Sequence, residues 1–157
     1  MKIVKAMKQV ARLKGEISAT KKRMEKSLNT LFENKDFDEE FLELQDLLYE
    51  KIKTLVDLKT RIMHTNVQNG MFEKIINLGE LKSHIEFVRE LEPKTGMVIV
   101  GYEEKEKTEF KSQLTIQQKN ELVESCQNGI NELTDELDDF NAKTSLIEMD
   151  VTVRLVD

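Results

Sequence analysis

A chain of 157 residues with 39% hydrophobic and 34% charged side chains holds enough apolar material for one core and too little for two, so residues 1–157 are expected to form a single domain. Its net charge of −6 and isoelectric point near 5.2 exclude a general duplex-DNA binder, which needs a strongly basic face. With one proline and no tryptophan, the composition suits long solvated helices better than a compact α/β enzyme or a disordered chain.

The first predicted helix runs from about Lys2 to Phe32. Its stripe is read as Ile3, Met7, Val10, Ile17, Met24, Leu28 and Leu31, with Lys14 and Lys21 falling on the seam and Ala11 and Leu13 filling in. Such lapses disfavour a long parallel coiled coil and favour a bundle. Asn34-Lys35-Asp36 breaks the pattern, and Asp36 with Glu39 resembles a capping box for a second helix reaching about Asn66. That helix carries Phe41, Leu44, Leu48, Ile52, Leu55 and Ile62, widened by Leu47, Val56 and Leu58. A short connection between two long helices folds them back antiparallel, giving a hairpin over residues 2–66 about 40–45 Å long. One chain does not offer enough surface to cover it, so a homo-oligomer is expected.

Asn69-Gly70 signals a turn. Asn77 and Glu80 are read as the cap of a short helix over residues 77–92, ended by Pro93 and Gly96. Residues 97–102, apolar and β-branched, predict a strand; the charged stretch from Glu103 to Lys111 is a loop or a second, exposed strand. Thr115 and Gln118 cap a helix over 115–141 with heptad positions Ile116, Val123, Cys126, Ile130, Leu133, Leu137 and Phe140. From Met149 the period changes to two, so residues 148–156 read as a strand-like tail able to pair with 97–102. The fold class is therefore mostly α with a minor β element: a long antiparallel hairpin, a third heptad helix, a short helix and a small sheet.

This order resembles the septicolysin-like family of uncharacterised bacterial proteins. The resemblance rests on Met1-Lys2-Ile3, the long hairpin, the sequence Ile62-Met63-His64-Thr65-Asn66, the short Leu-rich helix and the final heptad helix, over roughly residues 1–147. Where that family closes its last helix with Asn-Trp, this chain has Phe140-Asn141-Ala142, and its strand-like tail is additional. The resemblance implies the helical fold and no mechanism.

Charge is unevenly distributed. Residues 1–30 carry nine lysines and arginines against Glu16 and Glu25, and the rest of the chain is acidic. Lys21, Lys22, Arg23 and Lys26 read either as an anion site or as partners for the acidic start of the second helix. Lys5, Lys8, Arg12, Lys59 and Arg61 fall together at the open end of the predicted hairpin, where either the acidic last helix or a phosphate-bearing ligand would answer them. His64, Thr65 and Asn66 lie at the same end, as ligand-orienting groups or as a helix terminus.

The two histidines, His64 and His84, lack metal-ligand spacing, and no metal or other cofactor is expected. No nucleophile elbow or phosphate-binding glycine loop is present. The lone Cys126 cannot form an intrachain disulfide. With neither a leader-like start nor an apolar run near 18 residues, the expected setting is cytoplasmic. The leading expectation is a non-enzymatic binding or scaffolding protein acting as a homo-oligomer. Its alternatives are sequestration of a small anionic ligand, such as a signalling nucleotide, at a basic subunit junction, and a hydrolase or metal enzyme whose site is hidden in sequence.

Overall fold

A computed structural model describes residues 1–28, 40–99 and 107–154. Among the described residues, four helices and one small antiparallel sheet follow in chain order: α1 Ile3–Ser27, α2 Glu40–Gln68, α3 Met71–Glu90, β1 Gly96–Ile99, β2 Lys107–Phe110 and α4 Ile116–Lys143. They divide into two compact units, Met1–Phe72 with Asp138–Asp157, and Glu73–Leu137. The connection between α1 and α2, including the Asp36/Glu39 cap, lies outside the described residues.

In the first unit α1 and α2 form the antiparallel hairpin. The buried positions of α1 are Ile3, Ala6, Leu13, Ile17 and Thr20. With half-buried Val10 and Met24 these keep an unbroken three-four spacing. The seam is therefore one residue off the sequence-based stripe at three places. Ala6, Leu13 and Thr20 replace Met7, Lys14 and Lys21, and Met7 is 48% exposed. This frame avoids burying two ammonium groups, whose desolvation would cost more than a methionine returns. Thr20 tolerates burial because its Oγ1 donates to Glu16 O at 2.9 Å.

The core of this unit is Ile3, Ala6 and Leu13 of α1, Leu58 of α2 and Leu146 beyond α4, with Val10, Leu55, Ile62 and Phe140 packed against it. Leu146 reaches the core because the segment after α4 is tied to the amino terminus. Ile3 N donates to Thr144 O at 3.0 Å, Leu146 N donates to Met1 O at 2.8 Å, and Lys2 Nζ donates to Lys143 O. The Asn69-Gly70 turn forms as expected, with Gly70 at φ 68°.

α3 starts directly after that turn, at Met71 rather than near Asn77. Met71, Lys74, Leu78, Leu81, Ile85 and Val88 form one seam along it, so the heptad pattern begins a turn and a half before the cap-like Asn77. In the second unit α3 runs antiparallel to α4. Lys74 Nζ meets Glu136 Oε2 at 2.6 Å, Leu81 Cδ1 would lie 3.5 Å from a Cβ on Gly129, and Lys119 Nζ donates to Leu91 O at 2.6 Å. The Thr115/Gln118 capping box is present in both directions, with Thr115 N donating to Gln118 Oε1 at 2.9 Å and Gln118 N to Thr115 Oγ1 at 3.1 Å.

β1 pairs with β2, from Gly96 opposite Phe110 to Ile99 opposite Lys107. The charged stretch thus supplies the second strand. Among the described residues, 148–154 join no ladder, and the partner of β1 is β2 rather than the tail that the sequence also offered. A local hairpin closes a much shorter loop than a tail some fifty residues away, so its entropic cost is lower. The tail nevertheless keeps period-two burial, with Met149, Val151 and Val153 half-buried and Glu148, Asp150, Thr152 and Arg154 exposed.

Candidate functional site

Of the five cations grouped at the open end, Arg61 lies apart from Lys5, Lys8 and Arg12. Lys5, Lys8 and Arg12, spaced by threes and fours on α1, line a cavity of about 400 Å³ with Gln9. Arg12 Nε lies 3.3 Å from Glu16 Oε1 on its own helix. Lys59 is exposed on α2. Arg61 turns the other way: its Nε donates to Ile147 O at 3.0 Å, and its Nη1 lies 3.6 Å from Asp57 Oδ2. It lines a second cavity, of about 500 Å³, with Glu148, Met149 and Asp150. Lys21, Lys22, Arg23 and Lys26 are exposed. Across the hairpin one ion pair has the acid on α1 and the base on α2, Glu16 Oε2 to Lys51 Nζ at 3.2 Å.

His64 is exposed, whereas Thr65 and Asn66 are buried within α2 rather than terminating it. Thr65, with no exposed surface, is a junction. Its Oγ1 donates to Arg61 O at 2.7 Å and accepts from Ile147 N at 3.2 Å. One hydroxyl and one guanidinium thereby fasten both backbone groups of Ile147 to α2. Asn66, 8% exposed, keeps its Oδ1 without a hydrogen-bond partner among the described residues. The role of Thr65 is not legible in the sequence because its partner Ile147 lies 82 residues away, beyond any local pattern.

A feature that sequence reading did not single out is an apolar patch at the open end of one side of the hairpin. In an antiparallel pair, the residue following each seam position turns toward the same side on both helices. Val4 and Met7 follow Ile3 and Ala6; Met63 follows Ile62, and Val67 stands one turn beyond it. These four are 38–52% exposed. Arg61 precedes Ile62, and so faces the opposite side, where it meets Ile147. The one-residue displacement of the α1 seam creates this surface, because it expels Met7 from the core.

α3 carries further exposed apolar residues off its seam, Phe72, Ile75, Ile76 and Phe87. On α4, Glu121, Glu124 and Glu132 with Ser125, Asn128 and Gly129 line an acidic cavity of about 470 Å³. Among the described residues, no three His, Cys, Asp or Glu side chains are placed to hold a metal ion. No helix among them is long and apolar enough to cross a membrane. Comparisons with protein-family models, curated proteins and solved structures give no match to this chain.

Proposed function

We propose that this chain is a non-enzymatic binding or scaffolding protein that works in the cytoplasm as a helical homo-oligomer. The observation that carries this reading is the exposed side of the hairpin formed by Val4, Met7, Met63 and Val67. Methionine and valine at helical spacing on two adjacent helices make a surface that gains free energy when a second apolar face excludes water from it. Methionine adds an adaptable contour. The resemblance to the septicolysin-like proteins belongs to this proposal as a statement about the hairpin.

The test is sedimentation velocity across a concentration series. The parent chain is expected to exceed its 18.3 kDa monomer mass. A Met63→Asp/Val67→Lys variant, with helical content unchanged by circular dichroism, is expected to sediment as the monomer. A parent that stays monomeric at every concentration overturns the reading.

A second reading, retention of a small anionic ligand, is supported by the cavity lined by Lys5, Lys8, Gln9 and Arg12, where Lys5 and Lys8 form no ion pair among the described residues. Native mass spectrometry of gently purified protein tests it. Excess mass that disappears in a Lys5→Glu/Lys8→Glu variant supports retention, and a clean parent mass removes it.

A further inference from the structure

The segment after α4 has the alternating side-chain pattern of a strand and no backbone hydrogen-bond partner among the described residues. From Glu148 to Arg154 inward and outward positions alternate, and none of these seven residues bonds through its backbone within the described part of the chain. Its start is held firmly. Leu146 is buried, Ile147 N donates to Thr65 Oγ1, and Arg61 Nε donates to Ile147 O. A segment of alternating side chains is thus presented from a fixed anchor with its backbone donors and acceptors unpaired among the described residues, the condition under which another strand adds to an edge. Glu148, Asp150 and Arg154 are exposed and form no ion pair among the described residues.

We propose that residues 148–154 pair antiparallel with the same residues of a second copy, centred on Val151. The proposal rests on the homo-oligomer reading above and names a contact within that assembly. The sequence is self-complementary in this register. Glu148 stands opposite Arg154 of the second copy, twice by symmetry; Asp150 stands opposite Thr152; Met149 stands opposite Val153, and Val151 opposite Val151. Every charged or polar residue meets one of the exposed set, and every apolar residue meets one of the half-buried set, because antiparallel partners share a face. A shift by one residue would set exposed positions against half-buried ones. A shift by two, centred on Thr152, would set Asp150 rather than Glu148 opposite Arg154, and the cysteine pairing below separates these two registers. A two-stranded ribbon is marginal alone, so this pairing adds to the apolar contact rather than replacing it.

The register is tested by cysteine pairing in a Cys126→Ser background, which removes the native thiol. Glu148→Cys and Arg154→Cys variants are diluted together, reconcentrated and mildly oxidised. Directly opposed residues have Cα atoms about 4.5–5.5 Å apart, within disulfide reach. The expected result is at least ~10-fold more covalent dimer in the mixture than in either variant alone, since each residue faces the other and not itself. Charge gives a second readout. Arg154→Glu should weaken assembly about tenfold in sedimentation equilibrium, by replacing two attractive pairs with two repulsive ones, and Glu148→Arg/Arg154→Glu should restore it. If the parent assembles but the mixture cross-links no better than the single variants and Arg154→Glu has no effect, the tail contact is wrong and the oligomer reading stands. If the parent is monomeric at every concentration, both fall.

Discussion

Thr65 shows how one side chain takes its meaning from a distant segment. Its hydroxyl is the only group of the residue that both donates to its own helix and accepts from Ile147 N. Thr65→Val keeps the shape, removes both bonds and leaves the Ile147 N–H without that acceptor. The expected loss is about 1–3 kcal/mol in urea unfolding, with faster proteolysis after Ile147. Thr65→Ser, which keeps the oxygen and loses one methyl, should cost about 1 kcal/mol. An unchanged midpoint for the valine variant would show that the tail is held by Leu146 packing alone. The sequence marks Thr65 as notable through its place beside His64 and Asn66 at the open end of the hairpin. It did not reveal the role, because nothing within one helical turn of Thr65 encodes where residue 147 lies.

At the scale of elements, the α1 seam and the end of α3 are the informative cases. Leu13 is 5% exposed while Lys14 points to solvent. Leu13→Ala should therefore cost about 2–5 kcal/mol, and Lys14→Ala should fall within about 0.5 kcal/mol of the parent. The reverse ranking in chemical denaturation would restore the sequence-based frame. Lys119 occupies the α4 position where the heptad calls for an apolar residue, and its Nζ donates to Arg89 O and Leu91 O, each at 2.6 Å. It thus caps the carboxyl end of α3, where carbonyls lack intrahelical donors and the helix dipole favours a cation. Lys119→Met keeps the hydrophobic stem and removes the charge. It should lower stability by about 1 kcal/mol and speed amide exchange in the last turn of α3.

For the whole molecule, the distribution of exposed apolar residues matters more than any cavity. Val4, Met7, Met63 and Val67 share one side of the hairpin, and the proposed assembly makes their substitution by charged residues a test of mass rather than of folding. In Met63→Asp/Val67→Lys the melting temperature extrapolated to infinite dilution should match that of the parent. Only the parent should show a midpoint that rises with concentration, as linkage to self-association requires. A concentration-independent midpoint for the parent would count against assembly. The cations once grouped at the open end now divide by function: Arg61 fastens the tail, Arg12 pairs with Glu16, and Lys5, Lys8 and Lys59 stay in solvent.

The sequence by itself determined the helical class, the two long hairpin helices, the Asn69-Gly70 turn and the Thr115/Gln118 cap. Each is written in residues within about one turn of one another, where backbone propensity and local hydrogen bonds decide the outcome. Only the tertiary structure decided which of two adjacent heptad frames of α1 is buried, and which strand pairs with β1. It alone placed Thr65 beneath Ile147 and parted Arg61 from Lys5, Lys8 and Arg12. These choices depend on what faces a residue across the fold, and a frame containing Ala6 and Leu13 differs from one containing Met7 and Lys14 only once a neighbouring helix excludes water.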